Sequence, residues 1–353
     1  MQAVLTVDLG AVVANWRMLR ARHAPGAVAA VVKADAYGLG AVPVSQALAA
    51  AGCGHFFVAH LAEGMALRAA IGPGPMIAVL NGFAPGADEA AGLTPVLNGL
   101  PDIAAHTARP PLAGAILHLD TGMSRLGLDA REQAALAEDR SCLGGLRLRY
   151  VMSHLACADE PAHPLNAAQA TRFAAAAARI APGVPRSFAN SSGLFLGPAF
   201  ASDLARPGCA LYGINPTPGL ANPMRPALRL EAPVLQVRDI AAGDTVGYGA
   251  SWTAAEPRRI ATVAAGYADG YLRALSGRSV GHVAGRAVPL IGRVSMDLLT
   301  FDVTDAPELA PGGMITLIGP ETPPDDLAAR AGTIGYEILT SLGARYRRAY
   351  LPA

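Results

Sequence analysis

A chain of 353 residues is long enough for one large domain or two ordinary ones. Its 28 basic and 27 acidic residues nearly cancel, leaving no electrostatic footprint for nucleic acid or for an anionic membrane. Just over half the residues are apolar, but Arg, Asp, Gly or Pro breaks every hydrophobic run before about 18 residues, so no membrane-spanning helix is expected.

The first ten residues, MQAVLTVDLG, have neither a basic leader nor an apolar signal core and read as a strand entering a helix. Short apolar runs of β type then recur at 27–32, 54–60, 75–80, 93–97, 115–120, 146–155, 186–191 and 209–214. Helix-like stretches at 42–52, 61–70 and 166–180 fall between them, the last with Phe173 and Ile180 on one face of an alanine-rich helix. Strands alternating with helices over this length predict an α/β fold whose N-terminal part is a (β/α)8 TIM-type barrel. A doubly wound sheet is the structural alternative, but no G-x-G-x-x-G follows a strand. A Pro/Gly/Asn-rich linker at 215–226 closes this pattern. Beyond it, 228–240, 258–267, 287–303 and 314–319 read as strands, and 325–332 and 336–342 as helices. The expected division is a barrel over 1–223 and a mainly β domain over 224–353, with the first strand free to pack with the second domain.

Cys53, Cys142, Cys157 and Cys209 are scattered without C-x-x-C spacing or clustered histidines. They read as reduced thiols of a cytoplasmic enzyme, with no metal site expected. A sharper signal is the distribution of positive charge. Lys33 is the single lysine, and every other member of the basic set is arginine. Surface lysines tolerate that exchange, whereas a site needing a neutral amine does not, because guanidinium keeps its proton above pH ~12. Lys33 directly follows the apolar run 27–32, so it is a candidate nucleophile at a barrel-strand end. Asp120 with Arg125, His154, and Asn190 with Ser191 fall at or just beyond the ends of later strands, on the catalytic face of such a barrel.

With these residues in view, the chain resembles the alanine racemases, pyridoxal phosphate enzymes of fold type III. The resemblance rests on nine motifs in family order: AVVKADAYGLG (30–40), LDTGMSRLG (119–127), SHLACADE (153–160), ANSSG (189–193), RPGCALYG (206–213), VGYGASW (246–252), AAGYADGY (264–271), GRVSMD (292–297) and GTIGYEIL (332–339). It implies that Lys33 carries pyridoxal phosphate covalently and serves as the base for the D-enantiomer. Tyr248 would be the second base, acting on L-alanine from the partner subunit of a head-to-tail homodimer. Racemisation needs a base on each face of the substrate Cα, and a tyrosine with an ordinary pKa near 10 must be tuned downward to act near neutrality. The resemblance places Arg206 against the pyridine nitrogen, where a permanently charged donor leaves that nitrogen unprotonated, and His154 as its link to the tyrosine. Asn190 joins the cofactor-binding set. Phosphate donors would be Tyr37, Ser191, Tyr336 and the backbone of Gly208 and Cys209, in the manner of an anion site at a helix N-terminus. The substrate carboxylate would meet Arg125, Tyr267 and the Met296 N–H.

Besides Cys209, which stands where an aliphatic residue is usual, three positions depart from the family pattern. His118 stands where many members carry a carbamylated lysine that orients the arginine at position 125; water or a small anion such as chloride is the expected replacement. Ser295 replaces a common cysteine. Gly335 replaces a frequent proline, with a more mobile Tyr336 loop and a less restricted entrance as the expectation. The implied role is D-alanine supply for cell-wall peptidoglycan. A broad-specificity small amino-acid racemase is the alternative, and a non-enzymatic pyridoxal phosphate homeostasis protein is a third reading that the β domain with Tyr248 argues against. Fold-type III decarboxylases should have an acidic residue, not Arg206, at the pyridine nitrogen.

Overall fold

A computed structural model describes residues 2–87 and 91–353. The chain forms two compact units. One runs from Val12 to Leu211 and includes Asn215–Met224; the other combines the chain up to Ala11, Tyr212–Ile214 and Arg225–Ala353.

The first unit is a parallel barrel. After β1 (Val4–Asp8), which belongs to the other unit, its strands are β2 (Ala27–Val28), β3 (Ala30–Val31), β4 (His55–Val58), β5 (Met76–Val79), β6 (Thr94–Leu97), β7 (Ala115–His118), β8 (Leu148–Met152), β9 (Arg186–Ser187) and β10 (Leu204–Ala205). β2 and β3 are halves of one stave, since the Ala27, Ala29 and Val31 N–H groups donate in turn to Asp203, Ala205 and Pro207. Because β2 pairs with β10 and β3 with β4, the sheet closes on itself. The expected barrel is therefore present.

Alternation along the strands sorts two cores. Val96, Ile116 and Met152 point inward with Phe57, Met76 and Leu204. Their neighbours Leu97, Leu117 and Val151 point outward, against Ile103, Leu136 and Phe173 of the surrounding helices. The longest barrel helix, Pro164–Ile180, starts at a proline in its first turn and buries Phe173, Ala177 and Ile180 along one stripe. Phe173 stacks on Phe188 at 4.9 Å between ring centroids. Fully burying such a side chain stabilises the fold by roughly 1.5–3 kcal/mol.

One expected strand is corrected. The run 209–214 is not the eighth stave; that place is taken by β10, and Cys209–Tyr212 forms a 3-10 turn. Pro207 cannot donate to a ladder, and the Gly208 and Ala210 N–H groups turn instead to the Ser191 hydroxyl.

The second unit is built on β11 (Leu228–Ile240), a strand of 13 residues that spans the sheet. Its first half pairs with β1 and its second half with residues 258–263. β1 also runs parallel to the C-terminal strand Arg347–Leu351, so both ends of the chain meet in this sheet. The expected strand region 287–303 is interrupted: Arg286–Ile291 and Leu299–Asp302 are strands, and residues 292–298 form the loop that carries Met296. Strands Val280–Val283 and Arg347–Leu351 were not legible in the pattern.

Candidate active site

Since all barrel strands are parallel, the segments following β3, β7, β8, β9 and β10 emerge on one face. Lys33 stands there directly after Val32, whose N–H donates to Phe57 of β4. The next residues adopt an unusual conformation. Ala34, Asp35, Ala36 and Tyr37 all have φ between 52° and 56°, which is one turn of left-handed helix without a glycine. Such a conformation costs about 1–2 kcal/mol per residue, so it persists only where surrounding bonds hold it. Here Ala36 N–H donates to Val32 (2.9 Å), Gly38 N–H to Ala34 (2.8 Å) and Ala41 N–H to the Asp35 carboxylate (2.7 Å). Burial, and then the Arg125 guanidinium, hold the Lys33 amine below the usual lysine range, with the Glu63 carboxylate opposing them.

Arg206 is only 5% exposed and keeps its hydrogen bonds to neutral groups: Ser187 Oγ at 2.6 Å, the Ser153 carbonyl at 2.6 Å and His154 Nδ1 at 3.5 Å. Burial pushes its pKa down to about 10, so it remains a cation at neutral pH. A guanidinium can only donate, so His154 accepts through Nδ1 and carries its proton on Nε2. Burial, Arg206 and Arg125 push the His154 pKa well below the usual histidine value. His154 is thus a neutral imidazole among cations.

His118 has the opposite tautomer. Asn98 spends its amide hydrogens on the Leu80 and Val96 carbonyls (both 3.1 Å), so its oxygen faces His118 Nδ1 at 2.8 Å and accepts a hydrogen bond from it. Nε2 is left as the acceptor. Burial and Arg206 drive the His118 pKa down to about 3, with Asp120 opposing and Arg125 adding to the fall. The Arg125 loop is tied to this strand. Asp120 accepts from the Gly122, Met123 and Ser124 N–H groups (each 2.9 Å), and Leu128 N–H donates to the His118 carbonyl.

A group of backbone N–H donors follows β9 and β10. The Gly208 and Ala210 N–H groups turn to Ser191 Oγ at 3.0 and 3.3 Å, while Asn190 caps the Gly193 N–H at 2.8 Å. A Cβ at Gly208 would meet the Tyr37 hydroxyl and push the phenol from its place. Burial raises the Tyr37 pKa, so the phenol stays a donor. This donor set, with no carboxylate among the contacts named, suits the phosphate of pyridoxal phosphate in its chemistry. Cys209 follows Gly208 and is buried, its sulfur outside any disulfide.

The remaining expected residues lie in the other unit. Tyr248 opens a short 3-10 turn between Gly247 and Gly249 and is 71% exposed. Tyr267 and Met296 are neighbours: Tyr267 N–H donates to the Ser295 carbonyl and Ala268 N–H to that of Met296, both at 3.0 Å. Met296 has its side chain 53% exposed, and alone in the sequence it would be taken for a core residue. Ser295 contributes to this pairing through its backbone. Tyr336 is half-buried in the first turn of the helix Gly335–Ser341. Gly335 is a packing position, since a side chain there would meet Asp325 and Ile214.

The sequence reading missed Asn98, Ser153, Ser187 and Glu63, which orient the chemical groups. Only Glu63 left a signal, as the third residue of a helix after His60.

Comparison with known proteins identifies the family. The family model described as the alanine racemase N-terminal domain matches residues 7–216, and the alanine racemase C-terminal domain matches 227–350. An alanine racemase of Acidiphilium cryptum is 58% identical over 98% of this chain and 97% of its own. A catabolic alanine racemase of Mesorhizobium japonicum is 50% identical over 99% and 93%. The crystal structure of the Bartonella henselae alanine racemase with covalently bound pyridoxal phosphate superposes with a TM-score of 0.93, at 40% identity, covering 99% of this chain and 100% of that one. With both family domains matched in order and relatives similar along nearly the full length, this chain belongs to the alanine racemase family.

Proposed function

We propose that this protein interconverts L-alanine and D-alanine with pyridoxal phosphate bound to Lys33, using Lys33 and Tyr248 as two bases. The observation that carries the reading is the setting of Lys33. The only amine side chain of the protein is held at the barrel mouth, depressed in basicity, on the same barrel face from which a buried arginine, bonded only to neutral groups, emerges after β10.

When bound, pyridoxal phosphate supplies an electron sink that acidifies the substrate Cα–H. The phosphate would be held by Tyr37, Ser191, Tyr336 and the Gly208 and Cys209 amides, with Asn190 fixing the loop between them. Arg206, a cation backed by neutral His154, would donate to the pyridine nitrogen and hold it unprotonated. Arg125, Tyr267 and the Met296 N–H would orient the substrate carboxylate, so that Cα lies between the two bases. Lys33 Nζ would then exchange a proton on one face and Tyr248 Oη on the other. The high exposure of Tyr248 in a single subunit supports its completing the site of a head-to-tail partner. A cytoplasmic location and D-alanine supply for peptidoglycan complete the proposal.

The test is turnover of L-alanine in deuterated water. The expected product is D-alanine carrying deuterium at Cα. Equal turnover of serine and other small amino acids would instead favour the broad-specificity alternative. Pyridoxal phosphate binding without any racemisation would favour the homeostasis reading.

A further inference from the structure

A left-handed turn of four non-glycine residues is held in place by something, and the backbone bonds named above for it run within residues 32–41, so none of them reaches the neighbouring stave directly. Glu63 does. Its Oε1 accepts from the Ala34 N–H at 2.7 Å, the peptide that joins Lys33 to the strained turn. Its Oε2 accepts from the Ala59 and His60 N–H groups at 2.8 and 3.0 Å, just past the end of β4. One carboxylate therefore ties three backbone donors from two adjacent staves. Charge-assisted bonds of this type are roughly twice as strong as neutral ones.

We propose that Glu63 is a positioning residue for Lys33: its carboxylate fastens the left-handed turn to the end of β4 and so fixes where the amine stands. This rests on the reading of Lys33 as the cofactor-bearing base. Without the carboxylate, relaxation of Ala34 towards the right-handed region would relieve strain and rotate the chain immediately after Lys33. The same carboxylate is the negative charge that opposes Arg125 at the amine, so its removal changes both the position and the reactivity of Lys33.

The single lysine makes the test direct, because an amine reagent reports on Lys33 once the chain's amino terminus is separated by peptide mapping. The full chain, stripped of cofactor, is treated with trinitrobenzenesulfonate across a pH series as wild type, Glu63→Gln and Glu63→Ala. Affinity for pyridoxal phosphate is read from the absorbance of the bound chromophore, and folding from thermal melting by circular dichroism. Glu63→Gln keeps the size of the side chain but only one acceptor oxygen, so it retains the fold if Glu63→Ala does not. The expected result is a shifted pH profile of Lys33 modification in Glu63→Gln, with pyridoxal phosphate affinity lower by roughly ten- to one-hundred-fold, the scale of one charge-assisted hydrogen bond. Restored substrate should leave KM less affected than kcat. An unchanged modification profile and affinity in Glu63→Gln overturns the proposal, and so does a lower melting point with Lys33 reactivity intact, which marks a merely structural role. Wild-type protein that takes up no pyridoxal phosphate at Lys33 would sink the functional reading instead, while the modification profile still decides the role of Glu63.

Discussion

Lys33 and Tyr248 stand in opposite electrostatic and solvent settings. Lys33 is half-buried between the opposing charges of Arg125 and Glu63, and Tyr248 is exposed in the isolated chain. Removing them should therefore separate binding from catalysis. Lys33→Arg is expected to lose both turnover and the absorbance of bound pyridoxal phosphate, since guanidinium cannot supply a neutral amine. Tyr248→Phe should keep the absorbance and abolish racemisation; full retained activity would remove Tyr248 from the mechanism. The buried histidines lead to a pH prediction. The His118 pKa is depressed from 6.5 to about 3 in the fold, so the unfolded chain binds the proton more readily. Its contribution to stability is present above pH 6.5 and is lost as the pH falls towards 3, and neutral His154 acts in the same direction. Urea unfolding of the cofactor-free protein should show this acid loss, with a shallower decline in His118→Asn. An unchanged decline would place the acid sensitivity elsewhere.

At the scale of elements, the barrel separates stability from chemistry. Phe173 lies on the outer side of the barrel wall, in a cluster with Phe188, Leu117 and Val151, whereas the chemical groups follow the strand ends. Phe173→Ala should cost about 3–5 kcal/mol through lost burial and the cavity left behind. Denaturant unfolding checks this, and pyridoxal phosphate affinity measured well below the transition should stay near wild type. Affinity lost in parallel would show that the helix Pro164–Ile180 also shapes the mouth. The turn Ala34–Tyr37 behaves differently: its strain is local, it carries the reacting residue, and its support comes from the neighbouring stave.

For the whole molecule, the proposed head-to-tail dimer makes each site composite, with Lys33 from one subunit and Tyr248 from the other. A mixture of Lys33→Arg and Tyr248→Phe chains should then recover activity that neither has alone. Random reassociation gives about a quarter of the wild-type site count, because half the dimers are mixed and each holds one intact site. Activity assays after co-refolding, with sedimentation to confirm a dimer, check this. No recovery in a mixture shown to contain mixed dimers would mean that Lys33 and Tyr248 do not work across subunits.

The sequence by itself was enough for the alternation of strands and helices, the special status of the one lysine, and the motifs that carry the family resemblance. These are properties of spacing and residue type, which short-range sterics and periodicity make visible. It placed the eighth stave too late, because the run 209–214 is as apolar as a strand, and only the closed ladder from Ala27 to Val31 shows that Leu204–Ala205 fills the position. It gave no sign that Ala34–Tyr37 would turn left-handed, since alanine, aspartate and tyrosine carry no preference for that region strong enough to announce it. The tautomers of His118 and His154 were also beyond it. They depend on Asn98 and Arg206, which are 20 and 52 residues away along the chain. Hydrogen-bond direction and local charge arise from groups that only folding brings together, so the tertiary structure alone decided them.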